Sequence, residues 1–531
     1  MAGNAVGLGN FLRFPVQAVQ NGGGTFMIPY LVCFLLMGVP LLFVEWSMGR
    51  FSGQFGDHSA PFILDRLAPR RQFWWKYVGV FGIFTNITVA GYYCYVESWT
   101  LSYVWHSVAG TFHGQSADRI AGFFNNYVLN PGTEAFVWWL ICLLLNTWIL
   151  SRGLKAGVEA VAKIGMPLLV LFGIFLAYKG LTVKAGVDGA LFDSTEGLNF
   201  LWTPAAGSTI WDPKIWVAAA GQIFFTLSVG MGSVQCYASY LRQRDDVALN
   251  AMSAGWMNEF VEVCLGAAII IPISVGYFGV DWVVENTRNG GLGLGFRTLP
   301  YLFQQWGPVV AMLSGVCWFG LLFFAGITSS LAMGTGCMAF LEDEFNVSRV
   351  KSALLFGLVA FVLGLPTVLF FSHGVFDEFD YWAGTVSLVV FAMLEMILFA
   401  WVFGMEKGWR EITAHADIRV PVVFKFIIKW VTPTLLLLVF VSAFFKPLGN
   451  DWSAVLHGRW ILDDGSVVNQ ILNTGLKKAL AATTDPAELE SLHQQIMYVN
   501  LSRLLLAATL AGVWALVYVA YRKRMRQEKQ V

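Results

Sequence analysis

"MAGNAVGLGNFLRFP" at residues 1–15 and "GQIFFTLSVGMGSVQCYASYL" at residues 221–241 decide how this chain is read. Gly3, Gly7 and Gly9, with Asn4 and Asn10 between and after them, loosen the first stretch; Gly230 and Gly232 flank Met231 in the middle of the second. Glycines in a membrane helix either let two backbones pack closely or mark a place where the helix comes undone. Unwinding is tolerated only where the freed amides and carbonyls line a polar cavity. Its recurrence favours unwinding: two interrupted spans, each first in a five-helix half, form the sequence pattern of an inverted-repeat transporter with a midplane site. Freed N-terminal amides would suit an anion and freed carbonyls a cation, so the pair suits a zwitterion with sodium beside it.

The rest of the chain fits a membrane. Of 531 residues, 56% are hydrophobic and 13% charged, where soluble domains have about a quarter charged. Lys plus Arg and Asp plus Glu balance at 34 each, so no charge excess points to nucleic acid. Spans of about 20 apolar residues are expected near 24–51, 73–107, 134–151, 157–179, 214–241, 250–280, 304–342, 349–372, 381–404, 423–446 and 496–521. An incomplete first span covers roughly 8–20, and no basic flank precedes it as in a signal peptide. "DRLAPRRQ", "RGLK", "RQRDD" and "YRKRMRQEKQ" alternate onto one side, which the positive-inside rule makes cytoplasmic, with the C-terminus there. Longer loops near 108–133, 180–213 and 447–495 lie on the other side; in the last, "DPAELESLHQQIMY" reads as a helical loop brace capped by Asp485. All seven cysteines sit in apolar runs, with no loop pair that suggests a disulfide.

At "GNAVGLGNFLRFP", "NGGGTFMIPY", "GQIFFTLSVGMG" and "FFAGITSS" the chain closely resembles the neurotransmitter:sodium symporter family, above all its bacterial amino-acid transporters. The resemblance covers nearly the whole chain. It implies an all-α integral membrane protein with the inverted-repeat 5+5 fold: a first repeat over 1–180, a second over 210–404, helices 1 and 6 broken, and two further helices over 405–531. It implies a multi-pass protein of a cell membrane, bacterial and inner, that moves neutral apolar or aromatic L-amino acids with sodium. No further cofactor is expected.

By the same resemblance, one sodium site takes the Ala5 carbonyl, Asn10, Thr226 and Asn258, completed by the substrate carboxylate; a second takes carbonyls of Gly3, Val6 and Ala325 with Thr328 and Ser329 hydroxyls. Both sets are oxygen-only, and zinc is not expected, because the sequence shows no His/Cys cluster. Read without the motif, Thr328 and Ser329 are equally well ordinary interhelical hydrogen-bonding residues. The substrate carboxylate is expected at the Leu8 and Gly9 amides and Tyr93, and its ammonium at carbonyls of Ala5, Phe225 and Thr226 with Ser228. Gly7 stands where amine-transporting relatives carry Asp, which leaves room for that carboxylate. Val89, Phe225, Met231, Ser329 and Met333 would line the side-chain pocket, with flexible Met231 refitting around different substrates.

Arg13 with Asp380 resembles the family's external ion pair, Tyr93 with Phe225 the lid, and Asp343 in "FLEDEF" the acidic half of the internal gate. Its basic partner belongs to a half-helix that in the family precedes the position of residue 1, so the first half-helix is expected to be missing from this chain. Glu262, four residues after Asn258, stands where chloride-dependent relatives have a small neutral residue, and is expected to supply chloride's negative charge. The alternative for Glu262 is a permanently protonated, hydrogen-bonding acid. Glu45, Glu97, Glu259 and Glu395 also lie in or at the edges of apolar spans, where a carboxyl is usually functional.

No HExxH, GxSxG or P-loop motif is present, which disfavours an enzyme. An amino-acid-binding, receptor-like protein without transport stays open as the alternative.

Overall fold

The computed structural model describes residues 2–69, 71–204, 210–287 and 290–529. Arg70 of the first basic stretch, residues 205–209 of the second long loop and the last residues of the tail lie outside the described residues. Among the described residues the protein is helical, with two isolated bridges and no strand.

The first span is in pieces: α1 (Ala2–Ala5), α2 (Leu8–Leu12) and α3 (Phe14–Gln20). Then follow α4 (Gly24–Gly53), α5 (Val80–Val108), α6 (Thr133–Ser151) and α7 (Leu154–Leu181). The second interrupted span is α8 (Pro213–Leu227) and α9 (Ser233–Ala238). The chain continues through α10 (Val247–Phe278), α11 (Pro308–Phe345), α12 (Arg349–Leu369), α13 (Val375–Thr413), α14 (Val423–Phe444) and α15 (Pro486–Glu528). Nine of these are long and apolar enough to cross a membrane. The α5 helix is long enough but carries many polar residues, and the α8–α9 span is split, which accounts for all eleven expected spans.

The breaks fall at the glycines. Between Ala5 and Leu8 the chain leaves the helix, and the amide freed at Gly7 is taken by Asn10 Oδ1 at 2.8 Å. After Leu227, Ser228 (φ 53°), Gly230 (φ 75°) and Gly232 (φ 79°) adopt left-handed backbone, open to glycine at little cost but rare in other residues. The amide of Gly230 donates to Glu45 Oε1 of α4 at 2.5 Å, and the carbonyl of Met231 accepts from Asn86 Nδ2 of α5 at 2.7 Å. A backbone group left unpaired at this depth costs several kcal/mol, so these two side chains are what make the break tolerable. Glu45 also hydrogen-bonds to Glu395 of α13, which in turn accepts from Gln235 Nε2.

Two long helices carry wide turns where they pass the breaks. The α10 helix is π-helical over Phe260–Gly266, which carries Glu262, and α13 over Asp380–Ser387, which begins with Asp380. Such turns are frequent at functional sites, and this chain has others elsewhere, as at Leu154–Val158 and Ile427–Val431. The α5 helix is buried on nearly every side, whereas α7, α14 and α15 leave most of their apolar surface uncovered, as lipid-facing helices do.

One reading of the sequence is corrected. Asp485 does cap a helix, accepting from the Ala487 amide at 3.1 Å, but "DPAELESLHQQIMY" is no brace in the loop: it is the first part of α15.

Candidate substrate and ion site

A cavity of about 390 Å³ opens between the two breaks, within the size range of small-ligand pockets. Ala5, Gly7, Leu8 and Gly9 border it from the first break, Phe225, Thr226, Ser228 and Met231 from the second. Val89 and Tyr93 of α5, Ser329 and Met333 of α11, and Leu388 of α13 complete its walls. Every residue expected to touch substrate is therefore on one surface. Two of its glycines are closely approached: a Cβ on Gly7 would stand 3.1 Å from Ser329 Oγ and 3.4 Å from Tyr93 Oη, a tight fit, and one on Gly9 would meet the Phe225 ring at 2.5 Å, so that something must shift. The Leu8 amide, first in α2, donates to Tyr93 Oη at 3.3 Å. A helix N-terminus and a hydroxyl thus meet at one point, an arrangement that suits an anion.

Below this point oxygen atoms crowd together. Asn10 Nδ2 donates to Thr226 Oγ1 (3.1 Å), Asn258 Oδ1 (2.8 Å) and Glu262 Oε2 (3.0 Å). The tip of the Asn258 amide also lies 3.0 Å from the Ala5 carbonyl oxygen and 3.3 Å from that of Thr226. Thr226 donates to Glu262, and Gln222 Nε2 donates to its other oxygen at 2.7 Å. Glu262 is fully buried, with Tyr30 also against it. The residues of the first expected sodium set are thus in contact, with a carboxylate among them.

For the second set, Thr328 and Ser329 both donate to the Ala325 carbonyl at 3.2 Å, and a Cβ on Gly3 would lie 3.2 Å from Thr328 Cβ. Ala325 and Val6 are fully buried beside them. Gly3 and Thr328 therefore approach closely, across the gap between α1 and α11.

Arg13 and Asp380 both border the cavity but are not paired with each other among the ion pairs of the described residues. Arg13 lies over the Phe225 ring, 4.3 Å from its centroid, and Asp380 accepts from Tyr92 Oη at 2.6 Å. Gln17 and Gln20 of α3 border both this cavity and a second one of about 740 Å³.

The opposite face is packed. Asp343 Oδ2 accepts from the His58 amide at 3.1 Å, and the His58 ring stacks on Tyr240 with centroids 4.4 Å apart. Arg524 of α15 bridges Asp57 (2.7 Å) and Glu344 (2.7 Å) beside them. Asp343 thus has a backbone partner here, and the arginine of this face meets its neighbour Glu344.

Two side chains at the site carry no distinct mark in the sequence, and a third, Glu45, is legible there only as an intramembrane carboxyl. Asn86 and Tyr92 hold Met231 and Asp380, and Glu45 holds Gly230. Asn86 lies two turns before Tyr93 on one face of α5, which was the available signal.

Residues 1–120 and 125–462 match the model of the sodium:neurotransmitter symporter family. The chain belongs to that family. It is a family of membrane transporters, not enzymes, with sodium as the coupling ion. An uncharacterized sodium-dependent transporter of Methanocaldococcus jannaschii is 30% identical over 453 residues, 83% of this chain and 87% of the relative. Sodium-dependent nutrient amino acid transporter 1 of Drosophila grimshawi is 26% identical, over 82% of this chain and 73% of its own. The crystal structure of MhsT in complex with L-phenylalanine matches with a TM-score of 0.71 and 29% identity, covering 83% of this chain and 97% of MhsT. As symporter-family members do, the chain folds without strands among its described residues and around broken helices.

Proposed function

We propose that this protein is a symporter of neutral apolar or aromatic L-amino acids, driven by two sodium ions and independent of chloride. The observation that carries the reading is the meeting of the Leu8 amide and Tyr93 hydroxyl directly above the Asn10–Thr226–Asn258–Glu262 cluster. A substrate carboxylate bound there would touch helix amides on one side and complete a sodium shell on the other. The ammonium would take the carbonyls of Ala5, Phe225 and Thr226 with Ser228, and the side chain would extend against Val89, Met231 and Met333. Val89, Met231 and Met333 are all uncharged, which favours uncharged substrates. The bound L-phenylalanine of MhsT and the nutrient amino acid transporters of Drosophila support the substrate class.

The first sodium set is Ala5, Asn10, Thr226 and Asn258; the second is Gly3, Val6, Ala325, Thr328 and Ser329. Ionised Glu262 supplies negative charge within a hydrogen bond of the first set, where a low-dielectric surrounding makes an unbalanced cation costly. It can also take up a proton once the ions leave. Alternating access would rock the two repeats, 1–180 and 210–404, about the site. Arg13, Asp380, Tyr93 and Phe225 would close the outer side, with Asp343 at the inner, cytoplasmic side, where α15 also ends.

The substrate reading is tested by competition. Purified protein in sodium buffer is loaded with radiolabelled L-phenylalanine and challenged with single compounds. Leucine, methionine and tryptophan should displace it at far lower concentrations than glutamate, lysine or tryptamine. Equal displacement by tryptamine and tryptophan would rule out the carboxylate contact.

A further inference from the structure

Away from the cavity, on another face of α5, two thiols and a carboxyl meet in the protein interior. Cys142 Sγ of α6 donates to Glu97 Oε1 at 3.1 Å, and Asn146 Nδ2, one turn later, donates to the same oxygen at 3.0 Å. The same amide nitrogen lies 3.7 Å from Cys94 Sγ and 3.8 Å from Cys142 Sγ. Ser330 Oγ of α11 donates to Glu97 Oε2 at 2.5 Å. One ligand atom from each of Cys94, Glu97 and Cys142 lies within 4.8 Å of the others, and none of the four residues is more than 3% exposed.

Two features of this cluster are not explained by packing. Cys142, Asn146 and Ser330 all stand within hydrogen-bond reach of the Glu97 carboxyl, and no basic side chain of the described residues pairs with it. Asn146 Oδ1 is buried without a hydrogen-bond partner, while its nitrogen faces the cluster and also donates to the Cys142 carbonyl at 3.0 Å. Buried amide oxygens in this state are rare and costly.

We infer that Cys94, Glu97, Cys142 and Asn146 form a binding site for one borderline-soft divalent cation, Zn²⁺ or its analogue Cd²⁺. On binding, both thiols lose a proton and ligate as thiolates, Glu97 ligates through Oε1, and the Asn146 amide gives up its hydrogen bonds to Glu97 and the Cys142 carbonyl and turns over, so that Oδ1 becomes the fourth ligand. Both thiol protons leave, together with the carboxyl proton where Glu97 carries one, so two thiolates, one carboxylate and the dication sum to minus one. That near-neutral cluster is far cheaper to bury than the bare dication. A tetrahedron with metal–sulfur bonds of about 2.3 Å and metal–oxygen bonds of about 2.1 Å spaces its ligand atoms by roughly 3.5–3.8 Å, within the observed spread. Two sulfurs select zinc-like ions over sodium, magnesium or calcium. Ser330 keeps its hydrogen bond to Glu97 Oε2 and so fixes the carboxylate, as outer partners of metal ligands do. The rings of Phe323 and Phe361 pack over the cluster and must move to admit an ion, so loading is slow.

The test uses the purified full-length protein, stripped with a chelator and equilibrated for hours with Cd²⁺. One cadmium per chain should be retained, with thiolate-to-cadmium absorption in the ultraviolet and a raised melting temperature. All three should vanish in the Cys94→Ser/Cys142→Ser variant and persist in Cys264→Ser, which removes the exposed thiol. Cadmium X-ray absorption on the unmutated protein should show two sulfur ligands, a readout that does not depend on the double variant folding. No retained cadmium, equal retention by the double variant, or fewer than two sulfur ligands overturns the assignment.

Discussion

The hydroxyl of Tyr93 lies 3.3 Å from the amide nitrogen of Leu8, at the point where α2 begins. Both groups can donate to a substrate carboxylate, and only the hydroxyl is removable by mutation. A hydrogen bond to a charged group contributes about 1.5–3 kcal/mol, so Tyr93→Phe should weaken phenylalanine binding by about 10- to 100-fold. Equilibrium binding in saturating sodium measures it; a change of less than twofold would place the carboxylate elsewhere.

Glu262 is the second target. Its two oxygens are held by Thr226, Gln222 and Asn10 in the midst of the expected sodium ligands. Replacing chloride by gluconate should leave binding by the unmutated protein unchanged. Glu262→Ser should bind substrate only with chloride present, as the anion takes over the missing charge. A variant that is active and indifferent to chloride would show that the carboxylate has no such role.

The pocket wall at the second break depends on one amide. Asn86 Nδ2 holds the Met231 carbonyl at 2.7 Å, and the wall beyond it is the flexible Met231 side chain. Asn86→Ala leaves a buried carbonyl unpaired, at a cost of about 1–3 kcal/mol. Thermal unfolding should begin several degrees lower, and affinity should fall for all substrates alike. Met231→Phe should instead narrow the range of accepted side chains with little effect on stability. A competition panel run on both variants separates the two outcomes.

Most of this site was legible in the sequence because its backbone demands leave marks. Gly7, Gly230 and Gly232 stand where the chain unwinds or neighbours press in, and Asn10, Thr226 and Asn258 lie in motifs that resemble the family's. The supports were less legible. Glu45, Asn86 and Tyr92 meet partners 185, 145 and 288 positions away, and no local pattern records such a pairing. The wide turns at Phe260–Gly266 and Asp380–Ser387 contain no proline, and their glycines, Gly266 and Gly384, answer to close approaches by Asn10 and Tyr92 that apolar periodicity does not record. The start of α15 reads as a separate helix within the loop because its first turns are polar; the unbroken helical register from Pro486 onward is the better guide.

At the packed face, burial against Tyr240 holds the His58 pKa below its usual value, partly opposed by the nearby Asp57 carboxylate. Asp343 and Ser239 also face this residue. The folded state therefore favours neutral His58. Its contribution to stability is present above the unfolded-state pKa of about 6.5 and is lost as pH falls toward the lowered folded value. The melting temperature should drop from pH 7.5 to 5.5, and His58→Phe, which keeps the ring stack, should shrink that drop. An identical drop in the variant would assign the pH response to other groups.

Accumulation of substrate by sodium is the decisive quantity. A tenfold sodium gradient is equivalent to about 1.4 kcal/mol per ion and 100 mV adds about 2.3, so two ions supply roughly 7 kcal/mol. In proteoliposomes with external sodium and an inside-negative potential, labelled L-phenylalanine should accumulate well above its external concentration, whether the anion is chloride or gluconate. Replacing sodium by choline should abolish accumulation; uptake undiminished in choline, or sodium-dependent binding with no accumulation at all, would contradict sodium-coupled symport.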